Sequence, residues 1–166
     1  MEFHPLTPDM LPLCHVLCAD SIAALPDDAY PLAARLAWAG IWDADTAAAW
    51  AARLAGSWSV GVSAGPVLLG FAWLAQTGEF DMLYVAPEAQ HRGLGLQMIG
   101  RLEAIAAAAG VTALHAWVSH VARPVFEQAG YVMCRANTVT RDGVELENWL
   151  MAKGGWQEPV STRRES

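Results

Sequence analysis

The sequence predicts a single α/β domain built on a mixed, mostly antiparallel sheet of about six or seven strands with helices on both faces. Three observations predict it. Hydrophobic periodicity is helical from Thr7 to Leu54, changes to β-rich runs near Trp58, and returns to helical spacing after Val85. The β-rich runs follow one another across short turns, the order of an antiparallel meander. The length, 166 residues, supplies one ordinary domain and not two.

Taken in order, Glu2 to Leu6 opens a strand, and Thr7-Pro8 reads as a helix N-cap with proline at the first helical position. That helix is expected to reach Ile22, with an irregular first turn because Pro12 sits deep for a regular one. Pro26 to Pro31 reads as a loop. Leu32 to Ala39 forms a short helix closed by Gly40, and Asp43 caps another that runs to Leu54 before Gly56. Ser57 to Ser63 and Val67 to Gln76 are strands joined by Ala64-Gly65-Pro66, and Glu79 to Val85 follows Thr77-Gly78. Leu96, Ile99, Leu102, Ile105, Ala106 and Ala109 then fall at helical spacing up to Gly110. Ala113 to Val118 is a further strand and Ala122 to Gln128 a short helix ended by Gly130. Tyr131 to Thr140 and Val144 to Met151 pair as a hairpin around Asp142-Gly143. The expected division is one domain over 1–154, helical over 1–56 and sheet-based over 57–154, followed by a polar, frayed tail over 155–166.

Apolar residues make up 54% of the chain and charged ones 16%, which excludes a disordered chain, and no apolar run is long enough for a bilayer span. Met1-Glu2-Phe3-His4-Pro5 lacks the basic-then-apolar order of an export signal, so a cytoplasmic location is expected. Cys14, Cys18 and Cys134 are too sparse for a disulfide framework. Cys14 and Cys18 lie one helical turn apart, but no second pair follows at zinc-site spacing, so both are expected to be core thiols and no metal is expected. A net charge of −7 and a pI of ≈ 5.1 run against a nucleic-acid partner and suit a cationic substrate.

Chemistry concentrates between the third β run and the longest helix, in the segment from Val85 to Leu96 that holds Gln90-His91-Arg92-Gly93-Leu94-Gly95. Glycines leave the amides unobstructed, and a helix N-terminus offers unpaired N–H groups with partial positive charge; a diphosphate suits both. A Walker loop would carry Gly-Lys-Ser/Thr here, and a dinucleotide fingerprint would carry a small residue where Met98 stands. On the glycines alone, a strand-to-helix turn without a ligand fits equally well.

Gln90-x-x-Gly93-x-Gly95, preceded by Asp81-Met82-Leu83-Tyr84-Val85-x-Pro87, resembles the acyl-CoA loop of the GNAT superfamily of N-acyltransferases. The likeness continues through the strand Ala113 to Val118 and the segment Ala122 to Tyr131, and spans about Val67 to Lys153. Residues Glu2 to Gly56 match in helical character alone. The resemblance implies a central parallel pair of strands splayed into a V-shaped cleft, an acyl-CoA-binding core over 57–154 and an acceptor side over 1–56. It implies that coenzyme A pyrophosphate lies on amides of Gln90, His91, Arg92, Gly93, Leu94, Gly95 and Leu96, and that the pantetheine arm follows the strand ending at Val85. An amide near Leu83, Tyr84 or Val85 would hold the thioester oxygen, where a fixed donor stabilises developing charge without reorganising. Arg123, before Pro124, is a candidate to reach a coenzyme phosphate, with a solvated helix-start charge as the equal alternative. Members often place a tyrosine in the late helix to protonate the departing thiolate; Phe126 stands there, leaving it to pack on the pantetheine arm, with Tyr84 and Tyr131 as alternative hydroxyls.

An attacking amine must be neutral, yet a lysine-like amine has a reference pKa of about 10.4, so a base is required. Glu79 and Asp81 are two apart on one strand and are expected to share a face with Leu83 and Val85, which suits either as that base, Asp81 ahead of Glu79, with solvated strand-edge charges as the alternative. Trp38, Trp42, Trp73 and Trp117 are candidates for an aromatic wall around a cationic or flat acceptor, with core packing as the alternative. His115 and His120 lack partners at catalytic spacing and are expected to be structural. The reading is an acetyl-CoA-dependent N-acetyltransferase acting in a ternary complex on a small-molecule or peptide amine, with a homodimer implied by the family. An acyl-CoA-binding sensor without turnover and a protein-interaction domain are the competing readings.

Overall fold

Alternation along one central strand dictates that helices cover both faces. In the computed structural model, which describes residues 1–160, strand β3 (Val67–Ala75) turns Phe71 and Trp73 to one side and Ala72 and Leu74 to the other. All four are 0% exposed, the state of a strand buried on both faces. The remaining strands are β1 (Glu2–His4), β2 (Ser57–Ala64), β4 (Glu79–Val85), β5 (Leu114–Val118), β6 (Val132–Arg141) and β7 (Val144–Lys153). They form one seven-stranded sheet in the order β1-β2-β3-β4-β5-β7-β6. Neighbours are antiparallel except β4 and β5, which run parallel and pair only through Glu79↔His115 and Phe80↔Ala116 before parting.

Helices α1 (Leu11–Ala23), α2 (Leu32–Ala39) and α3 (Ala44–Ala55) cover the face that carries Phe71 and Trp73, with Cys14, Ile22, Trp50 and Leu54 in the same cluster. Helices α4 (Leu94–Ala108) and α5 (Arg123–Gln128) cover the opposite face, where Met98, Ile99, Leu102 and Phe126 meet Ala72, Leu74 and Phe80. Truncating a residue such as Phe71 or Trp73 to alanine would cost about 3–5 kcal/mol. Among the described residues no helix is long and apolar enough to cross a membrane, and no group of three His, Cys, Asp or Glu side chains is placed to hold a metal.

Several expectations are met at short range. Asp43 Oδ1 accepts the Thr46 amide at 2.8 Å, and Asp142 (φ 49) and Gly143 (φ 75) supply the two left-handed residues of the β6–β7 turn. Cys14 and Cys18 are buried, and burial pushes their thiols up to about 12 and about 11. Others need correction. Thr7 makes no side-chain cap; because Pro12 has no amide to give an α-helical bond, Pro8–Met10 forms a 3₁₀ turn and α1 begins at Leu11. The buried stripe of α4 is Leu94, Met98, Ile99, Leu102 and Ala106, while Ile105 is exposed. The start of the tail is docked: the Trp156 ring stacks on His115 at 4.1 Å, and Glu158 grips Arg135. Residues 161–166 of the expected frayed tail lie outside the described residues.

Candidate active site

The site begins at an irregularity in β4. Its register against β3 passes from Leu74↔Phe80 directly to Trp73↔Met82, so Asp81 is an extra, unpaired residue. Such a bulge resets the alternation of every side chain after it. Asp81 and Met82 consequently both face α1 to α3, while Leu83 packs on the α4 side. This corrects the expected common face of Glu79, Asp81, Leu83 and Val85: Asp81 and Leu83 lie on opposite sides.

On the helix-covered side Asp81 is fully engaged. Arg53 of α3 donates from Nε to Oδ2 at 2.7 Å and from Nη2 to Oδ1 at 2.5 Å, and the buried Trp73 indole adds a third bond from Nε1 to Oδ2 at 2.7 Å. Glu79 carries no such clamp. Burial pushes its carboxyl above the ordinary value, the Asp81 charge adds to the rise, and Arg53 opposes it. Its nearest partner is His115, with Oε2 3.7 Å from Nε2. Burial lowers the His115 pKa, so this imidazole is neutral near pH 7 and offers Glu79 no full positive charge.

Beyond β4 the chain makes a 3₁₀ turn at Pro87–Ala89 and enters the loop before α4. His91 (φ 60) and Gly93 (φ 74) are both left-handed, a conformation that costs a non-glycine residue about 1–2 kcal/mol and gathers successive amides into an anion-binding hollow. Gly93 caps α4 without a side-chain bond. The amides of residues 91–96 donate to no acceptor among the described residues. A Cβ on Gly93 would meet nothing nearer than Gln97 Nε2 at 4.0 Å, so this ridge of donors faces open space. Gln90 braces it from behind, donating from Nε2 to the Val85 carbonyl at 3.2 Å. The donor set and the space fit a diphosphate.

Two hollows, of ≈ 730 and ≈ 800 Å³, run into each other where β4 and β5 separate. The first is lined by Leu83, Tyr84 and Val85 of β4, by Gln90, His91, Gly93, Leu94, Gly95 and Leu96 of the loop, and by Phe126. The second is lined by Glu79 and Asp81 together with Arg53, Trp50 and one face of β6. Phe80, Asp81, Met82, Tyr84, Trp117 and Ser119 belong to both, as does Trp38. Four of the expected residues keep their side chains out of the cleft. Arg92 turns its side chain back to the Glu88 carbonyl at 2.9 Å, which leaves its amide among the unpaired donors of the loop. Arg123 is drawn to Glu127 at 2.7 Å, one helical turn along α5. Trp42 packs against His15 and Trp50, and Trp73 is 0% exposed and bound to Asp81. His120 stacks on Tyr30 at 4.2 Å, a packing role.

The acetyltransferase (GNAT) domain family matches the chain over residues 42–152. The chain belongs to the GNAT acetyltransferase family. It is similar to a protein of Rhodopseudomonas palustris described as a GCN5-related N-acetyltransferase, aminotransferase class-II: 34% identical, covering 92% of this chain and 94% of that one, with a TM-score of 0.83. At 17% identity it shares its fold with YncA of Salmonella typhimurium, solved with acetyl-CoA, over 96% of both chains at a TM-score of 0.69. PaiA N-acetyltransferase of Thermoplasma acidophilum, solved with coenzyme A, matches at 18% identity over 92% of this chain and 98% of that one, TM-score 0.64. No curated protein matches the chain. Membership makes it an N-acetyltransferase, and the parted β4 and β5 form its cleft.

Against the GNAT pattern, sequence reasoning missed Arg53, Trp50, Tyr30 and Ser119, and the row Arg135, Asn137, Val139 and Arg141 on β6, all of which line the second hollow. Arg53 carried no local signal, since its partner is 28 residues away. The β6 row did carry one: every second residue from Arg135 to Arg141 shares a face. Polar alternation on a strand reads as a solvent face unless another element is known to lie opposite.

Proposed function

We propose that the chain transfers an acetyl group from acetyl-CoA to a primary amine by direct attack within a ternary complex, with Glu79 as the base. The observation that carries this reading is the meeting of the two hollows at the β4–β5 separation. A thioester carried down from the 91–96 amides and an amine entering over α2 and α3 would meet beside residues both hollows share. Acetyl-CoA supplies a thioester whose C–S bond is exchanged for an amide C–N bond. Glu79, in the acceptor hollow and held by no cation of its own, takes the proton that the amine sheds. Asp81, saturated by Arg53 and Trp73, positions α3 against β4 and keeps a negative charge near Glu79. Within Leu83 to Val85, past the end of the β4–β5 ladder, the amides that point away from β3 are available to donate to the thioester oxygen. Phe126 provides apolar wall for the coenzyme arm, and the thiol, with a reference pKa of about 8.5, departs as thiolate without a dedicated acid.

The test is thiol release from acetyl-CoA with a broad panel of amines, paired with calorimetric titration of coenzyme A. Amine-dependent release supports the proposal. Coenzyme binding without release from any amine would make the chain a sensor, and failure to bind coenzyme A would remove the assignment of the loop.

A further inference from the structure

We propose that the acceptor amine also bears a carboxylate, and that Arg141 receives it. The inference rests on the acetyl-transfer reading and concerns the acceptor hollow of the same cleft. Three arginines line that hollow, and two are already spoken for. Arg53 holds Asp81, and Arg135 holds Glu158 through Nε at 2.9 Å and Nη2 at 2.6 Å. Arg141 has no ion-pair or hydrogen-bond partner among the described residues, although it lines the hollow.

Placement makes this charge relevant to the cleft. Arg141 is the last residue of β6, opposite Val144, and the Asp142-Gly143 turn folds β7 back against it. Its row-mates on β6, Val139 and Asn137, line the same hollow, so the guanidinium continues a surface that faces α2. Its positive charge is felt at the Cys18 thiol and the Tyr84 hydroxyl, whose ionisation it favours against the larger effect of burial. Tyr84 belongs to both hollows, so the charge reaches the place where coenzyme and acceptor meet. A guanidinium is a planar fork of donors that matches a carboxylate in two parallel bonds, and Tyr30 and Trp38 line the same hollow. Glu79, to take a proton from the ammonium pole, and Arg141, to hold the anionic pole, line the same hollow at different heights of the sheet, Glu79 level with Ala152 through His115 and Arg141 opposite Val144, so the hollow suits an extended amine that is also an acid.

Three matched pairs test this: L-phenylalanine with phenethylamine, L-lysine with cadaverine, and 6-aminohexanoate with hexylamine, each assayed by thiol release at saturating acetyl-CoA. At least one carboxylated member is expected to exceed its plain partner in kcat/KM by about 10-fold, the scale of one bidentate charged contact. Arg141→Gln is expected to collapse that ratio through KM for the carboxylated member, and Arg141→Lys to restore it in part. Thermal melts of both variants check the fold. Equal rates within every pair, or an Arg141→Gln loss shared by both members of a pair, would overturn the inference and leave acetyl transfer standing. No release from any amine by coenzyme-binding protein would overturn the transfer reading, and this inference with it.

Discussion

Glu79 and His115 face each other where β4 and β5 are still paired, one residue before the strands part, with Oε2 3.7 Å from Nε2. Trp156 lies over the imidazole at 4.1 Å and 17°, and burial holds the ring neutral. A protonated histidine here would stabilise the Glu79 carboxylate and weaken it as a base. Under the indole it does not, and the upward shift of the Glu79 pKa is preserved.

Glu79→Gln is expected to lower kcat by about 10²–10⁴-fold, the usual worth of a general base, with coenzyme A affinity unchanged because Glu79 does not line the coenzyme hollow. The parent kcat/KM should rise with pH through a pKa above the reference glutamate value of about 4.3, since the working form is the carboxylate. The sign for stability is opposite. Folding raises this pKa, so the group's contribution is fully present below the unfolded value and is lost as pH rises through the folded one. The variant should therefore match or exceed the parent Tm at neutral pH. Parent-like turnover in Glu79→Gln would remove it as the base.

Asp81→Asn separates a positioning role from a catalytic one. Asparagine still accepts the Trp73 N–H, but it no longer cancels Arg53, so Glu79 loses a neighbour that raises its pKa and gains an unpaired cation that lowers it. The acid limb of the kcat/KM profile is expected to move to lower pH, and stability to fall by about 1 kcal/mol for a partly exposed pair. A limb moved upward, or turnover lost at every pH, would place Asp81 in direct contact with the reacting amine.

The order of elements and the glycine-containing turn into α4 were legible because short-range rules govern them. An aspartate cap at Asp43, a left-handed pair at Asp142-Gly143 and the two-sided apolar run of β3 each act within a few residues. The Asp81 bulge was not legible. Period-two alternation assigns Asp81 and Leu83 one face, and what overrides it is the Arg53 guanidinium and the Trp73 indole drawing Asp81 to theirs. Tryptophan likewise announces apolar bulk without its location: Trp38 and Trp117 line the cleft, while Trp73 is sealed in the core. The face of β6 that lines the second hollow depended on α2 lying opposite, a tertiary fact that polar alternation alone does not carry.

Trp156→Ala should uncover His115. Without the indole the ring regains water, its pKa moves up toward the reference value of about 6.5, and a titration of its ring protons by NMR would follow the change. As the imidazolium becomes populated it favours ionised Glu79, so the acid limb of kcat/KM should shift to lower pH. A His115 titration unchanged by the substitution would mean that the sheet, and not Trp156, keeps the ring dry.

Gly93→Asp tests the amide ridge directly. Its left-handed φ of 74 makes any side chain there costly, but aspartate tolerates this region better than most residues, so the fold should lose about 1 kcal/mol and remain intact. Nothing within 4 Å of the new Cβ except Gln97 Nε2 would deflect it, leaving a carboxylate beside the donors of residues 91–96. A negative charge competing for those amides should weaken coenzyme A binding by at least about 10-fold in calorimetry, and the loss should shrink for dephosphorylated pantetheine, which brings no diphosphate. Gly93→Ala separates strain from charge: it shares the backbone penalty and lacks the carboxylate, so it should lose stability with a smaller loss of affinity. Equal affinity for coenzyme A in Gly93→Asp and the parent would move the diphosphate away from this loop.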